Sequence, residues 1–158
     1  MKKSGFITLI SLFLLLVNLS FAQQKAGFLP ISKLVDGDLF WVTNENGKAE
    51  KISLIGVNTP ESKRTERTEI EYFGKEATAY VNGILEGTKV RLEYEVQHFD
   101  RFKLLLAYVY LEDGTFLNSH LVKAGFAQVA TYPPTIKYVE VFEKLERQAR
   151  SNRRGLWV

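Results

Sequence analysis

The 158-residue chain has no cysteine and only two histidines, His98 and His120. The first absence excludes disulfide staples and a lipid-modified cysteine behind a leader, although export would permit disulfides. The histidines are far apart and lack a ligand-spaced partner, which argues against a zinc site. Net charge is also scarce. Lys and Arg number 21 against 18 Asp and Glu, a formal +3. Loss of Lys2 and Lys3 with a leader would leave 19 against 18, or +1. A nucleic-acid partner therefore cannot be read from net charge, only from where the charges sit. No repeat, low-complexity segment or second domain is visible.

What is present begins with "MKKSGFITLISLFLLLVNLSFAQQ". Two lysines, an apolar run from Phe6 to Leu19, and small residues at the −3 and −1 places of Ser20-Phe21-Ala22 read as a signal peptide over residues 1–22. The run is short for a membrane span, which disfavours an uncleaved anchor. The expectation is a secreted or periplasmic monomer without stable membrane association after cleavage. The remaining 23–158, about 136 residues, form one domain's worth of chain, enough to bury a core unaided.

Residues 28–57 read as three strands, "FLPISKLV", "DLFWVT" and "AEKISLIGV", joined by turns at Asp36-Gly37 and Asn44–Gly47. The second turn lacks the alternating acids and closing Glu of a calcium loop. "SKRTERTEIE" is too charged for core and reads as a mobile loop. Phe73, Ala77, Tyr80, Val81, Ile84 and Leu85 recur at helical spacing before a stop at Gly87. In "TKVRLEYEV", Val90, Leu92, Tyr94 and Val96 alternate with Arg91, Glu93 and Glu95, the mark of a half-buried strand. "LLLAYVYL" reads as a strand covered on both faces. "NSHLVKAG" reads as a short helix capped by Asn118 and stopped by Gly125. A last helix spans about 137–152, with Val141, Phe142, Leu145 and Ala149 on one face. Its cations, Lys144, Arg147, Arg150, Arg153 and Arg154, interleave with Glu140, Glu143 and Glu146 as a solvated face would. Five strands and three helices predict a mainly β, α+β, partly or fully closed OB-like barrel; a flat sandwich is the competing architecture.

The corner "NTPE" at 58–61 reads, by itself, as a strand end with Glu61 solvated beyond Pro60. Yet "VDGD" (35–38), "LIGVNTPE" (54–61), "GKEA" (74–77), "DRFKLLLAYVY" (100–110), "DGTFLNSHLVKAGFAQV" (113–129) and "ARSNRRGLW" (149–157) occur in an order and spacing that resemble the staphylococcal nuclease (thermonuclease) family. The resemblance implies a five-stranded Greek-key OB barrel with three flanking helices, and calcium-dependent cleavage of DNA and RNA by active members. It implies metal ligands at Asp38, Asn58 and the Thr59 carbonyl, and the water-activating carboxylate at Glu61. Arg101 and Phe102 match residues that touch a nucleotide's phosphate and base. Among the tyrosines able to stack on bases, Tyr108, Tyr110 and Tyr132, the last is favoured because it adjoins Pro133-Pro134 in a loop.

Three places depart from that pattern. Asn58 keeps an oxygen but brings no charge, so any calcium is expected to bind weakly. The family's two phosphate-clamp arginines are absent: their places hold Ser53 and Leu104. A bidentate fork is thereby replaced by a hydroxyl and a methyl-tipped side chain. Losing one such donor costs about 10² to 10³ in rate, so weak or lost hydrolysis is expected. Lys51, on the same strand face as Ser53, with Arg101, Lys103 and the loop cations, could supply rearranged donors. The readings left open are a domain that binds DNA, RNA or nucleotides with little turnover, an active nuclease with rearranged donors, and a non-catalytic OB module for a protein or polyanion.

Overall fold

The computed structural model describes residues 27–66 and 68–158; the leader read in 1–22 lies outside them. Alternation builds the first hairpins. Strand β1 (Leu29–Asp36) pairs antiparallel with β2 (Leu39–Thr43), and β2 with β3 (Ala49–Leu54). Phe40, Val42, Ile52 and Leu54 turn inward, while Leu39, Trp41 and Ser53 share the outer face. Asn44 takes both Asn46 N–H and Lys48 N–H on its Oδ1, at 3.0 and 2.9 Å, confirming the second segment as a turn.

The third strand is shorter than the sequence suggests. It breaks at Ile55-Gly56, where Gly56 has φ +77°, and Val57–Asn58 becomes β4, paired with β7 (Gln128–Val129) in a separate ribbon. Helix α1 (Gly74–Leu85) follows, then β5 (Lys89–Glu93) and β6 (Leu105–Leu111). β6 pairs antiparallel with β5 and parallel with β3, and β5 returns to β1, so the order β1-β2-β3-β6-β5 closes into a barrel. Closure excludes the flat sandwich and gives the OB architecture, with α1, α2 (Leu117–Ala124) and α3 (Val139–Ser151) outside.

The strand expected to run to Val96 stops at Glu93, leaving Val96 74% exposed. Ala107, Tyr108 and Val109 are buried in succession because β6 is covered twice. Tyr108 meets Phe116, Tyr138 and Phe142 outside the barrel while its neighbours face the other way. Asn118 is not an N-cap. It lies one residue inside α2, which Phe116 precedes, and is fully buried. Its Nδ2 donates to Ile55 O at 2.8 Å and its Oδ1 accepts from Val109 N–H at 3.0 Å. A buried carboxamide thus satisfies a carbonyl freed where β3 breaks. Gly125 does stop α2, at φ +81°.

Candidate functional site

The turn between β1 and β2 carries Asp36 and Asp38 into contact with the corner after β4. Gly37 makes that approach possible: a Cβ there would stand 2.7 Å from Thr59 Oγ1. Thr59 Oγ1 donates to Asp38 Oδ1 at 3.3 Å. Asp36 Oδ1 accepts from Gly37 N–H at 3.0 Å and Thr78 Oγ1 at 2.6 Å, and its Oδ2 accepts from Ser62 N–H at 3.4 Å. One carboxylate therefore joins the turn, helix α1 and the segment beyond the corner.

Glu61 is held through its backbone. Its N–H donates to Glu71 Oε2 at 3.0 Å, and its carbonyl accepts from Glu71 N–H at 2.9 Å. Gly74, the first residue of α1, packs so close that any side chain would overlap the Glu61 carbonyl oxygen. Burial raises the Glu61 carboxyl above the usual range, and the Asp36 and Glu71 carboxylates add to the shift. Burial pushes Asp38 up to about 6, with Asp36 and Glu61 adding and backbone donors opposing.

Asp38, Ser53, Asn58, Glu61, Arg101, Phe102, Leu104 and Tyr132 line one cleft of about 580 Å³ on the outer face of the barrel. The β4–β7 ribbon explains why Tyr132 reaches it: Asn58 pairs with Gln128, and Ala130 N–H donates to Gly56 O at 3.1 Å. Tyr132 is 75% exposed there. Tyr108 and Tyr110 are not available for stacking on bases. Tyr108 is buried and donates to Glu95, while Tyr110 is half-buried and donates to Glu93. Thr59 is buried and is not among the residues lining the cleft; its carbonyl accepts from Asn58 Nδ2 at 3.2 Å.

Three of the candidate replacement donors are engaged with other partners. Lys51 Nζ lies 5.9 Å from the centroid of Trp41's ring, Lys63 donates to Val35 O at 3.3 Å, and Arg64 pairs with Glu69. Arg101 is the single cation among the described residues lining the cleft, its guanidinium 4.7 Å from the Phe102 ring centroid.

A family model described as Staphylococcal nuclease homologue matches residues 51–158. The chain belongs to the staphylococcal nuclease family. Thermonuclease of Staphylococcus hyicus is 36% identical over 127 residues, covering 80% of this chain and 73% of that protein. Thermonuclease of Staphylococcus intermedius is 34% identical over the same length, with 80% and 74% covered. A SPbeta prophage-derived endonuclease of Bacillus subtilis is 33% identical over 129 residues, covering 80% of this chain and 43% of its own. The domain is accordingly nuclease-like.

Within the nuclease family's pattern, the residues here suit a hard cation. Asp38 and the Thr59 carbonyl are oxygen donors of the kind calcium takes, and the Asn58 carboxamide, whose Nδ2 donates to that carbonyl at 3.2 Å, would offer its own oxygen once turned over. No ion pair among the described residues involves Asp38, and a half-buried, desolvated carboxylate without a cation is what a metal would relieve. Among the described residues, no three His, Cys, Asp or Glu side chains gather around one point. The set therefore carries little charge. Sequence reasoning assigned nothing to Asp100, Leu39 or Leu106, which also line the cleft. Asp100 Oδ1 accepts from Phe102 N–H and Leu104 N–H, both at 2.8 Å, and so shapes the turn presenting Phe102. Its place in "DRFK" was a signal for a turn-forming Asp.

Proposed function

We propose that this domain, exported behind its leader, binds single-stranded nucleic acid or nucleotides in the cleft and hydrolyses phosphodiesters weakly or not at all. The observation that carries this reading is the lining itself: Asp38, Glu61, Arg101, Phe102 and Tyr132 meet in one cleft in which Ser53 and Leu104 offer no guanidinium. Calcium, held by Asp38, Asn58 and the Thr59 carbonyl, would supply positive charge to the phosphate. Glu61 is the group to take a proton from the attacking water, and burial with the neighbouring Asp36 and Glu71 carboxylates makes it a stronger base than a free glutamate. Arg101 would hold a phosphate oxygen, and Phe102 and Tyr132 would stack on bases. Developing charge on the phosphate lacks a second fixed donor, and this limits turnover.

The test incubates the secreted protein with labelled single-stranded DNA and RNA, in calcium and in chelator, reading binding by anisotropy and cleavage on gels. Micromolar binding with slow, calcium-dependent cleavage abolished by Glu61→Gln is the expected result. Rapid multiple-turnover cleavage would favour an active enzyme with rearranged donors. Absence of binding would favour a module for another ligand.

A further inference from the structure

The floor of the cleft has a composition that bears on which part of a nucleotide it takes, an inference that rests on the nucleotide reading above. Leu39 pairs with Ser53, and Ser53 pairs with Leu106, so these three stand in a row across β2, β3 and β6. Directly opposed residues point to the same face of a sheet. Leu104, two residues before Leu106, lines the same cleft. One hydroxyl is thus set among three leucines. Phe102 and Tyr132 line the same cleft, 54% and 75% exposed. Such a surface suits a planar aromatic ring and offers a phosphate oxygen one hydroxyl and no charged donor.

Charge in the cleft is uneven in the same sense. Arg101 is its one cation among the described residues, against the carboxylates of Asp38, Glu61 and Asp100. A phosphate near Asp38 and Glu61 meets like charge in a partly desolvated place, whereas one near Arg101 meets a guanidinium.

We infer that the cleft seats a nucleobase on the Leu39, Leu104 and Leu106 floor between Phe102 and Tyr132, with a single phosphate at Arg101: its ligand unit is a nucleoside monophosphate, not a nucleotide gripped through phosphates on both sides. Calorimetry of the intact protein in chelator, against a nucleoside, its 3′- and 5′-monophosphates, its 3′,5′-bisphosphate and inorganic phosphate, tests this. One monophosphate should bind about fivefold or more tighter than the nucleoside, and the second phosphate should add less than about twofold. Arg101→Gln should erase the monophosphate's advantage and keep the nucleoside's affinity. Leu104→Arg should make the bisphosphate the tightest ligand.

A bisphosphate about tenfold tighter than either monophosphate on the unmodified protein would overturn the inference. So would inorganic phosphate matching the nucleotides. An oligonucleotide that binds where no nucleoside or nucleotide does would overturn the inference and leave the nucleic-acid reading intact; binding by none would overturn both.

Discussion

Asp38 shows what one residue's surroundings can do. Its carboxyl is raised from 3.8 to about 6, chiefly by burial. The folded protein therefore holds a proton there that the unfolded chain has already released. Between about pH 4 and 6 the native state binds more protons, so stability from this group falls as pH rises through that window, and the full penalty stands above it. Asp38→Asn should gain about 1 to 3 kcal/mol at pH 8 and almost nothing at pH 3, read from urea denaturation. An equal effect at both values would reject the shift. Calcium bound beside Asp38, as proposed, would offset the same penalty; the few charges there predict a dissociation constant of roughly 10⁻⁴ to 10⁻³ M, tightening in Asn58→Asp, measured by calorimetry. Ser53 and Leu104 carry a second prediction at this scale. Both are half-buried in the cleft wall, so an arginine at either can extend into the cleft without entering the barrel. The triple variant Ser53→Arg, Leu104→Arg, Asn58→Asp should raise calcium-dependent DNA cleavage by about 10² or more, and adding Glu61→Gln should remove the gain. A folded triple variant that binds DNA and calcium yet stays inert would refute the assigned roles.

The segment before α3 is held by the end of β5. Glu95 Oε1 accepts from Ile136 N–H and Lys137 N–H at 3.1 Å each, and its Oε2 accepts from Tyr108 at 2.6 Å. Glu93 takes Lys137 Nζ at 2.7 Å, Tyr138 at 3.0 Å and Tyr110 at 3.1 Å. Burial alone would raise the Glu93 carboxyl, but these donors outweigh it and hold it below the usual range. Glu95→Ala leaves two backbone N–H groups and a buried hydroxyl without an acceptor, and should cost about 2 to 3 kcal/mol in chemical denaturation. Because Tyr132 rides on the same segment, oligonucleotide binding should weaken with it; an unchanged midpoint would show that the segment holds itself. Alternation placed Val90 and Leu92 on the inner face of β5 correctly, since an OB barrel buries every second residue of its strands. It could not give Glu93 and Glu95, whose tyrosine partners come from β6 and the residue before α3. Nor could it give Asn118, whose cap-like position concealed a buried bridge. Motif order brought Asp38, Asn58, Glu61, Arg101 and Phe102 together in advance, and the loop at Pro133-Pro134 pointed to Tyr132. Leu39 and Leu106 escaped notice because their adjacency depends on register across three strands.

The molecule as a whole divides into a cleft side and a seam side. The cleft draws on β2, β3, the approach to β6 and the β4–β7 ribbon, so a ligand there bridges barrel and loop. Opposite it, β1 and β5 close the barrel through only two register pairs, Leu29 with Val90 and Pro30 with Lys89. Proline has no N–H to give, which thins that ladder further. By contrast β2 and β3 share five pairs, and β5 and β6 share four. Hydrogen exchange should therefore follow two regimes. Amides of Leu29, Ile31, Lys89 and Val90 should exchange through local opening, and those of β2, β3 and β6 through global unfolding. A ligand in the cleft should slow exchange around 54–61 and 130–135 while leaving the seam's rate unchanged. The barrel can thus breathe at its back while its front stays still, and the tightness of the cleft need not be paid back as rigidity elsewhere.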